Sequence, residues 1–170
     1  MDRLIVMRHA KAERRAESGR DFDRALAERG RQDAAIMGQV LAKAGLTPDV
    51  AVVSPAQRTL DTWAAVSAAF PGARSEGERA LYNAPATILR EAVERAGDTA
   101  RAVLLIAHNP GVHELTVLLL REGGAAPSVI AKASERFPTA TAAAFTFDAA
   151  GRPCYDGLFF VADHGGGGGE

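Results

Sequence analysis

Three short apolar segments stand out in the pattern of hydrophobic and polar positions. They lie at residues 4–7, 50–53 and 102–107, and each is continuously apolar rather than alternating. Continuous runs of this length are typical of strands covered on both faces, as in a parallel sheet between two layers of helices. The pattern therefore predicts three buried, parallel strands.

The segments between these strands have helical character. Apolar positions recur at helical spacing from Glu28 to Ala44, and Gly45 is a suitable C-terminal stop. Further helices are predicted at residues 55–69, 86–96 and 111–120, each followed by glycine or by proline and glycine. Strands that alternate with helices predict right-handed crossovers and a three-layer α/β/α domain.

The last third of the chain has a different pattern. Residues 139–147 and 157–161 are two candidate strands, joined by a turn at residues 148–153. They are predicted to add an antiparallel edge to a mainly parallel sheet. A single domain is predicted over residues 1–164. Residues 165–170 are predicted to form a flexible tail, because successive glycines have no side chains to bury.

Composition and charge exclude several classes of function. The 170 residues carry a net charge of -1, and only 6% of them are aromatic, which is unlike a nucleic-acid-binding domain. No apolar run approaches the ~20 residues of a membrane span, and the N-terminal run is too short for a signal peptide. A cytoplasmic monomer without membrane or nucleic-acid partners is therefore predicted. Because Cys154 is the only cysteine, an internal disulfide and a thiolate metal cage are excluded.

Polar residues follow each predicted parallel strand at the point where the strand ends. In chain order they are Arg8 and His9, then Ser54 and Arg58, then His108 and Asn109. In an open parallel sheet, ligands bind in the crevice beyond the carboxyl ends of the strands. Two histidines and two arginines are therefore predicted to share one crevice.

The residue types in this crevice predict a phosphoryl ligand, because the planar fork of arginine matches phosphate oxygens. Ser54 and Asn109 each precede a proline, which predicts two capped helix N-termini that would also favour an anion. A neutral imidazole can attack phosphorus, and flanking arginines disfavour its protonation. The second histidine can donate to a phosphoryl oxygen. The arginines can supply the positive charge, so neither a metal nor a cofactor is predicted.

The remaining histidines and the charged N-terminal segment have less specific interpretations. His113 is predicted to be a helix or pocket-rim residue, and His164 to be solvated. A zinc site is disfavoured because no carboxylate or cysteine ligand lies at usable spacing. Residues 11–31 are rich in arginine, but acidic residues are interleaved with them. This segment is therefore predicted to be a solvated loop and helix start rather than a binding patch.

The motifs at the strand ends resemble those of the histidine phosphatase superfamily, which includes the phosphoglycerate mutases. Residues 8–13, Arg-His-Ala-Lys-Ala-Glu, are closest to the Arg-His signature of the small SixA-type phosphohistidine phosphatases. Residues 54–62, 81–84, 108–115 and 137–140 resemble later motifs of that group, in the same order. The resemblance covers about residues 3–148, which is most of the chain.

The resemblance implies a role for each matched residue. His9 would be the nucleophile that becomes phosphorylated, and Arg8 and Arg58 would clamp the phosphoryl oxygens. His108 would complete the phosphate pocket, with Asn109 beside it. The implied reaction is phosphoryl transfer to His9 followed by hydrolysis, without metal or cofactor. The implied substrate is a phosphohistidine on a signalling protein, such as a histidine phosphotransfer domain.

Whether a general acid is present separates the alternative substrates. Larger relatives supply a glutamate, because the alkoxide released from a phosphate ester needs a proton, whereas a departing imidazole can already carry one. Glu76 and Glu78, on a predicted loop, are the candidate acids, and Tyr82 is a candidate for the rim. Two alternatives stay open: a phosphatase for small phosphorylated molecules, and a non-catalytic phosphate-binding module.

Overall fold

A six-stranded sheet forms the centre of the computed structural model, which describes residues 1–169. Its strands are β1 (Arg3–Arg8), β2 (Val50–Val53), β3 (Arg74–Glu76), β4 (Ala102–Ala107), β5 (Ala142–Phe147) and β6 (Pro153–Phe159). Their order across the sheet is β3-β2-β4-β1-β5-β6. The pairs among β1 to β4 are parallel, whereas β5 and β6 are antiparallel to their neighbours. The mainly parallel sheet with a late antiparallel edge is confirmed.

Helices cover both faces of this sheet. They are α1 (Glu28–Lys43), α2 (Gln57–Val66), α3 (Ala86–Gly97), α4 (Gly111–Glu122) and α5 (Pro127–Glu135). Buried side chains of α1 and α2 belong to one apolar cluster, and those of α3, α4 and α5 to another. The predicted three-layer α/β/α fold is therefore confirmed. None of the helices within residues 1–169 has both the length and the apolar character needed to cross a membrane.

Strand β1 shows why the buried strands are continuously apolar. Leu4 and Val6 pack in the same cluster as Leu89 of α3, whereas Ile5 and Met7 pack on the opposite face with α1. Successive side chains of a strand point to opposite faces of the sheet, and here helices bury both faces. Every position from 4 to 7 must therefore be apolar.

Helix α5 and strand β3 were not predicted, and strand β6 begins earlier than predicted. Helix α5 buries only Ala133, so its sequence lacks a strong apolar stripe. Strand β3 has three exposed residues, Arg-Ser-Glu, and therefore no hydrophobic signal. Strand β6 begins at Pro153, within the predicted turn. Proline is tolerated there because the first residue of an edge strand need not donate a ladder hydrogen bond.

The prediction that Ser54 and Asn109 cap helices was wrong. Helix α2 begins at Gln57 and α4 at Gly111, and neither has a side-chain cap. The hydroxyl of Ser54 instead lies 2.6 Å from a ring nitrogen of His108, and the amide of Asn109 donates to a backbone carbonyl at 3.0 Å. Both side chains therefore make their hydrogen bonds next to the predicted crevice rather than with the helix ends.

The glycine-rich C-terminal segment, predicted to be a flexible tail, makes specific contacts. The N–H groups of Gly167 and Gly168 donate to the two carboxylate oxygens of Asp33 at 2.8 and 3.1 Å. Gly169 accepts a hydrogen bond from the backbone of Thr139 at 2.8 Å. Asp33 is buried on α1, and a buried carboxylate needs donors, which the glycine backbone supplies. Residue 170, the end of the predicted tail, lies outside the described residues.

Candidate active site

The sheet register brings the carboxyl ends of three strands together. Arg8, the last residue of β1, pairs with Ala107 of β4, and β4 pairs in turn with the end of β2. His9, His108 and Ser54 follow these three strand ends directly. The rings of His9 and His108 consequently lie with their centroids 5.3 Å apart, although most of the chain separates them in sequence.

A cavity of about 200 Å³ lies at these two histidines. Its lining includes five cationic side chains, namely Arg8, Lys11, Arg14, Arg24 and Arg58. No Asp or Glu side chain lines it within the described part of the chain. A small cavity of this charge favours a compact anion such as a phosphoryl group.

The orientation of the His9 ring leaves one nitrogen available as a nucleophile. Its Nδ1 lies 2.8 Å from the carbonyl oxygen of Ala10, which can only accept, so Nδ1 carries the hydrogen. The other nitrogen, Nε2, therefore keeps its lone pair. The N–H of Ala10 donates to the hydroxyl of Thr62 at 3.0 Å, which fastens this loop to α2.

Both histidines are neutral in the folded protein. Burial lowers the pKa of His9 to about 3, opposed by its hydrogen bond to Ala10 and assisted by the positive charge of Arg58. Burial likewise lowers the pKa of His108 to about 3, and the neighbouring His9 acts in the same direction. Flanking arginines were predicted to keep the ring of His9 neutral. In the structure burial is the larger cause, because the rings follow buried strands.

We expect the ring of His9 to remain neutral from pH 8 down to about pH 5, because its pKa lies far below the ordinary histidine value of about 6.5. The ring chemical shifts of His9, followed by NMR during a pH titration, should therefore stay constant through this range. The variant His9→Gln identifies the resonance. A titration of His9 with a midpoint near the ordinary value would contradict the expected neutral state.

Arg58 reaches the cavity from the first turn of α2 and is held by Asp21. Its guanidinium donates to the carbonyl of Asp21 at 2.8 Å and to the carboxylate at 3.1 Å. The same carboxylate accepts from the hydroxyl of Tyr82 at 2.7 Å and from Arg24 at 2.8 Å. The hydrogen bond from Tyr82 is the largest cause that holds the pKa of Asp21 well below its usual range. Asp21 is therefore ionised, and it positions Arg58 rather than supplying a proton.

The other predicted phosphate ligands share a different anchor. Arg8 and Asn109 each donate a hydrogen bond of 3.0 Å to the carbonyl oxygen of Phe137. Phe137 lies in the segment before β5, so the late antiparallel edge helps to orient residues that follow β1 and β4. Arg8 and Asn109 also line the cavity at His9, which places both within the same site as Arg58 and His108.

The structure brings Tyr82 to the site, but not Glu76 or Glu78. The ring of Tyr82 packs edge-to-face on His108, with centroids 5.6 Å apart. Glu76 lies on the edge strand β3, and Glu78 pairs with Arg95; both line a separate cavity. Because β3 is at the edge of the sheet, beyond β2, neither predicted candidate acid reaches His9.

The arginine-rich segment 11–31 contributes to the site, contrary to the prediction of a solvated loop. Lys11, Arg14 and Arg24 all line the cavity at His9. The segment folds back on itself, because Ala12 and Leu26 form an antiparallel bridge. This pairing brings cations from both ends of the loop over the cavity. Asp21 was missed for the same reason, since it lies in the same run of charges.

The two remaining histidines lie outside this cavity. His113, on α4, stacks on Phe137 and lines an adjoining cavity of about 510 Å³ that also includes Arg8 and Asn109. His164 is exposed. In residues 1–169, no group of three His, Cys, Asp or Glu side chains is placed to hold a metal ion.

Comparison with known proteins places this fold and site in a family. Residues 4–84 match the model of the histidine phosphatase superfamily, branch 1. An uncharacterized protein of Mycobacterium tuberculosis is 32% identical over 133 residues, which cover 78% of this chain and 82% of that protein. The region that matches the family model contains Arg8, His9 and Arg58.

Two solved structures share the whole architecture. SixA from Agrobacterium tumefaciens is 26% identical, with a TM-score of 0.79, and the match covers 94% of this chain and 98% of that one. SixA from Nakamurella multipartitia is 27% identical, with a TM-score of 0.80, over 94% of this chain and 95% of that one. Both have been assigned as phosphohistidine phosphatases. The chain therefore belongs to the histidine phosphatase superfamily, and within it to the SixA type.

Proposed function

We propose that this protein is a phosphatase that takes the phosphoryl group from a phosphohistidine on a signalling protein and transfers it first to His9 and then to water. The composition of the cavity at His9 is the main support for this function. The cavity combines cationic side chains and neutral imidazoles but, among the described residues, no carboxylic acid. The activity assigned to the two SixA proteins supports the same proposal.

The first half-reaction follows from the orientation of His9. Arg8 and Arg58 hold the phosphoryl oxygens, and the Nε2 lone pair of His9 attacks phosphorus. A bond forms between phosphorus and Nε2 of His9 while the bond between phosphorus and the substrate imidazole breaks. The substrate imidazole takes a proton from solvent on its other ring nitrogen before the transfer, so it keeps the bonding electron pair and departs as neutral imidazole. An alkoxide would need a proton donor at this point, and the cavity lining supplies no acid for it.

The second half-reaction returns His9 to its starting state. Water attacks phosphorus, the bond between phosphorus and Nε2 breaks, and the electron pair returns to the ring. The water oxygen stays on the inorganic phosphate, and its proton passes to the phosphate or the solvent. The surrounding arginines stabilise the charge on the equatorial oxygens in both steps, which is the main requirement of phosphoryl transfer. They supply this charge in the proposed mechanism without a metal or cofactor.

The cation-rich cavity also supports a protein substrate. Lys11, Arg14 and Arg24 add positive charge beyond the two arginines that one phosphoryl group requires. A phosphorylated side chain displayed on an acidic protein surface, such as that of a histidine phosphotransfer domain, matches this charge. We propose that the enzyme acts on it in the cytoplasm as a monomer.

The experiment that tests this function compares kcat/KM for a phosphohistidine peptide with kcat/KM for a simple alkyl phosphate, with His9→Ala as the blank. We expect a ratio far above the difference in intrinsic lability of the two substrates, and loss of both activities in the blank. A ratio near that difference, still dependent on His9, would favour an enzyme for small phosphorylated molecules. If His9→Ala left every measurable function intact, the phosphate-binding module would be correct.

A further inference from the structure

Ser54 makes a buried hydrogen bond to the second histidine of the site. Its side-chain oxygen lies 2.6 Å from Nε2 of His108. Ser54 is fully buried and His108 is 3% exposed, so water does not compete for this contact. The N–H of Ser54 donates to the carbonyl of Ile106 at 3.0 Å, which holds the serine in register with the strand that precedes His108.

The number of hydrogens decides the direction of this hydrogen bond. The hydroxyl of Ser54 has one hydrogen, and among the described residues His108 is the acceptor within its reach. If the hydroxyl donates to Nε2, that hydrogen is satisfied. If the ring donated instead, the hydroxyl hydrogen would be buried without an acceptor, which is unfavourable. A neutral ring that accepts at Nε2 must carry its own hydrogen on Nδ1.

We infer that Ser54 holds His108 in the tautomer with hydrogen on Nδ1, and that this N–H is the donor presented to the transferred phosphoryl group. The first half of the inference concerns the protein alone, whereas the second half rests on the proposed phosphatase function. Nδ1 of His108 is buried and has no hydrogen-bond partner within residues 1–169. A phosphoryl oxygen bound beside His9 supplies the acceptor that this buried N–H lacks.

The same tautomer gives the two histidines opposite roles. In His9, the carbonyl of Ala10 takes the Nδ1 hydrogen, so the lone pair of Nε2 is available for attack. In His108, Ser54 occupies Nε2, so the hydrogen on Nδ1 is available for donation. Without the serine, the isolated imidazole prefers its hydrogen on Nε2, and His108 would then present a lone pair that repels the phosphoryl oxygen. Ser54 is therefore a positioning residue that acts through His108.

The tautomer can be measured directly by two-bond ¹⁵N–¹H correlation NMR of the whole protein labelled at histidine nitrogen. We expect His108 to show a protonated Nδ1 and an unprotonated Nε2, with its signals identified by their loss in His108→Gln. His113 is an internal reference for the opposite tautomer, because its Nε2 donates to the carbonyl of Ala133 at 2.7 Å. A wild-type spectrum with hydrogen on Nε2 of His108 would overturn the inference.

The variant Ser54→Ala tests the causal role of the hydroxyl. We expect His108 to shift to the tautomer with hydrogen on Nε2, and kcat/KM for a phosphohistidine peptide to fall about 10- to 100-fold. Thr116→Val is the matched control, because it removes a buried hydroxyl from α4 that donates to the carbonyl of Val112. An unchanged tautomer and unchanged kcat/KM in Ser54→Ala would refute the inference.

The two measurements separate this inference from the proposed function. The NMR experiment requires no substrate, so a protein that hydrolyses no phosphohistidine still reports the tautomer of His108. If Ser54→Ala does not fold, the wild-type spectrum still decides the first half of the inference. If the tautomer shifts in Ser54→Ala but kcat/KM does not change, the serine positions His108 as inferred, and His108 is not the phosphoryl donor.

Discussion

Replacing His9 with alanine is expected to reduce hydrolysis of a phosphohistidine peptide by at least about a thousandfold. The variant removes, from the cavity, the imidazole whose Nε2 is held with its lone pair available, since Nδ1 of His9 donates to the carbonyl of Ala10 and Nε2 of His108 is engaged by Ser54. Initial rates measured with wild type and variant at equal concentration test this expectation. The exposed His164 offers a matched control, because His164→Ala removes an imidazole outside the cavity and should keep wild-type activity.

Vanadate binding to His9→Ala distinguishes loss of the nucleophile from disruption of the phosphate site. His9→Ala leaves Arg8, Arg58 and their backbone anchors in place, so vanadate should still bind within about an order of magnitude of the wild-type affinity. Retained binding with abolished turnover would assign His9 to the chemical step. Substantial turnover in His9→Ala would show that another group accepts the phosphoryl group.

Replacing Arg58 with alanine is expected to weaken vanadate binding by more than about tenfold. The guanidinium contributes charge-assisted hydrogen bonds from a buried position, and its loss leaves the Asp21 carboxylate with one cationic partner fewer near the anion. Titration of vanadate by calorimetry measures the effect. Arg74→Ala removes an exposed arginine from β3, remote from the cavity, and should leave the affinity unchanged.

Two further variants separate the phosphate contact from the structural role of Arg58. Arg58→Lys keeps the charge but loses the planar fork, so we expect an intermediate affinity. In the double variant Arg58→Ala/Asp21→Asn, the negative charge of the nearby carboxylate is also removed, so its repulsion of vanadate is lost and part of the affinity should return. An affinity for vanadate in Arg58→Ala equal to that of the wild type would exclude Arg58 from the phosphate site.

The position of the principal site residues could be predicted because it depends only on the strands being parallel. Arg8, His9 and His108 lie at the ends of continuously apolar strands, and parallel strands end at a common edge of the sheet. Neither the helix boundaries nor the side-chain contacts were needed for that prediction. The fold class was also predictable, because a strand that is buried on both faces must be continuously apolar, and such a run is visible in the sequence.

The residues that surround this site depend on contacts that local patterns do not contain. Lys11 and Arg24 reach the cavity through the pairing of Ala12 with Leu26, which joins positions far apart in a charged loop. Ser54 resembles a helix cap in sequence, and only the position of His108 shows that its hydroxyl bonds to the ring. Likewise Glu76 ends an exposed edge strand that has no apolar signal, so its location away from His9 was not apparent from the sequence.

The phosphorylated enzyme can be observed directly by rapid quenching of wild type mixed with a ³²P-labelled phosphohistidine peptide. The proposed mechanism predicts a transient label on the protein that is labile to acid and stable to alkali, as a phosphorus–nitrogen bond is. After proteolysis the label should reside in the peptide that contains His9, and it should be absent from His9→Ala. Turnover without a labelled protein, or a label on any other residue, would contradict the assignment of His9 as the nucleophile.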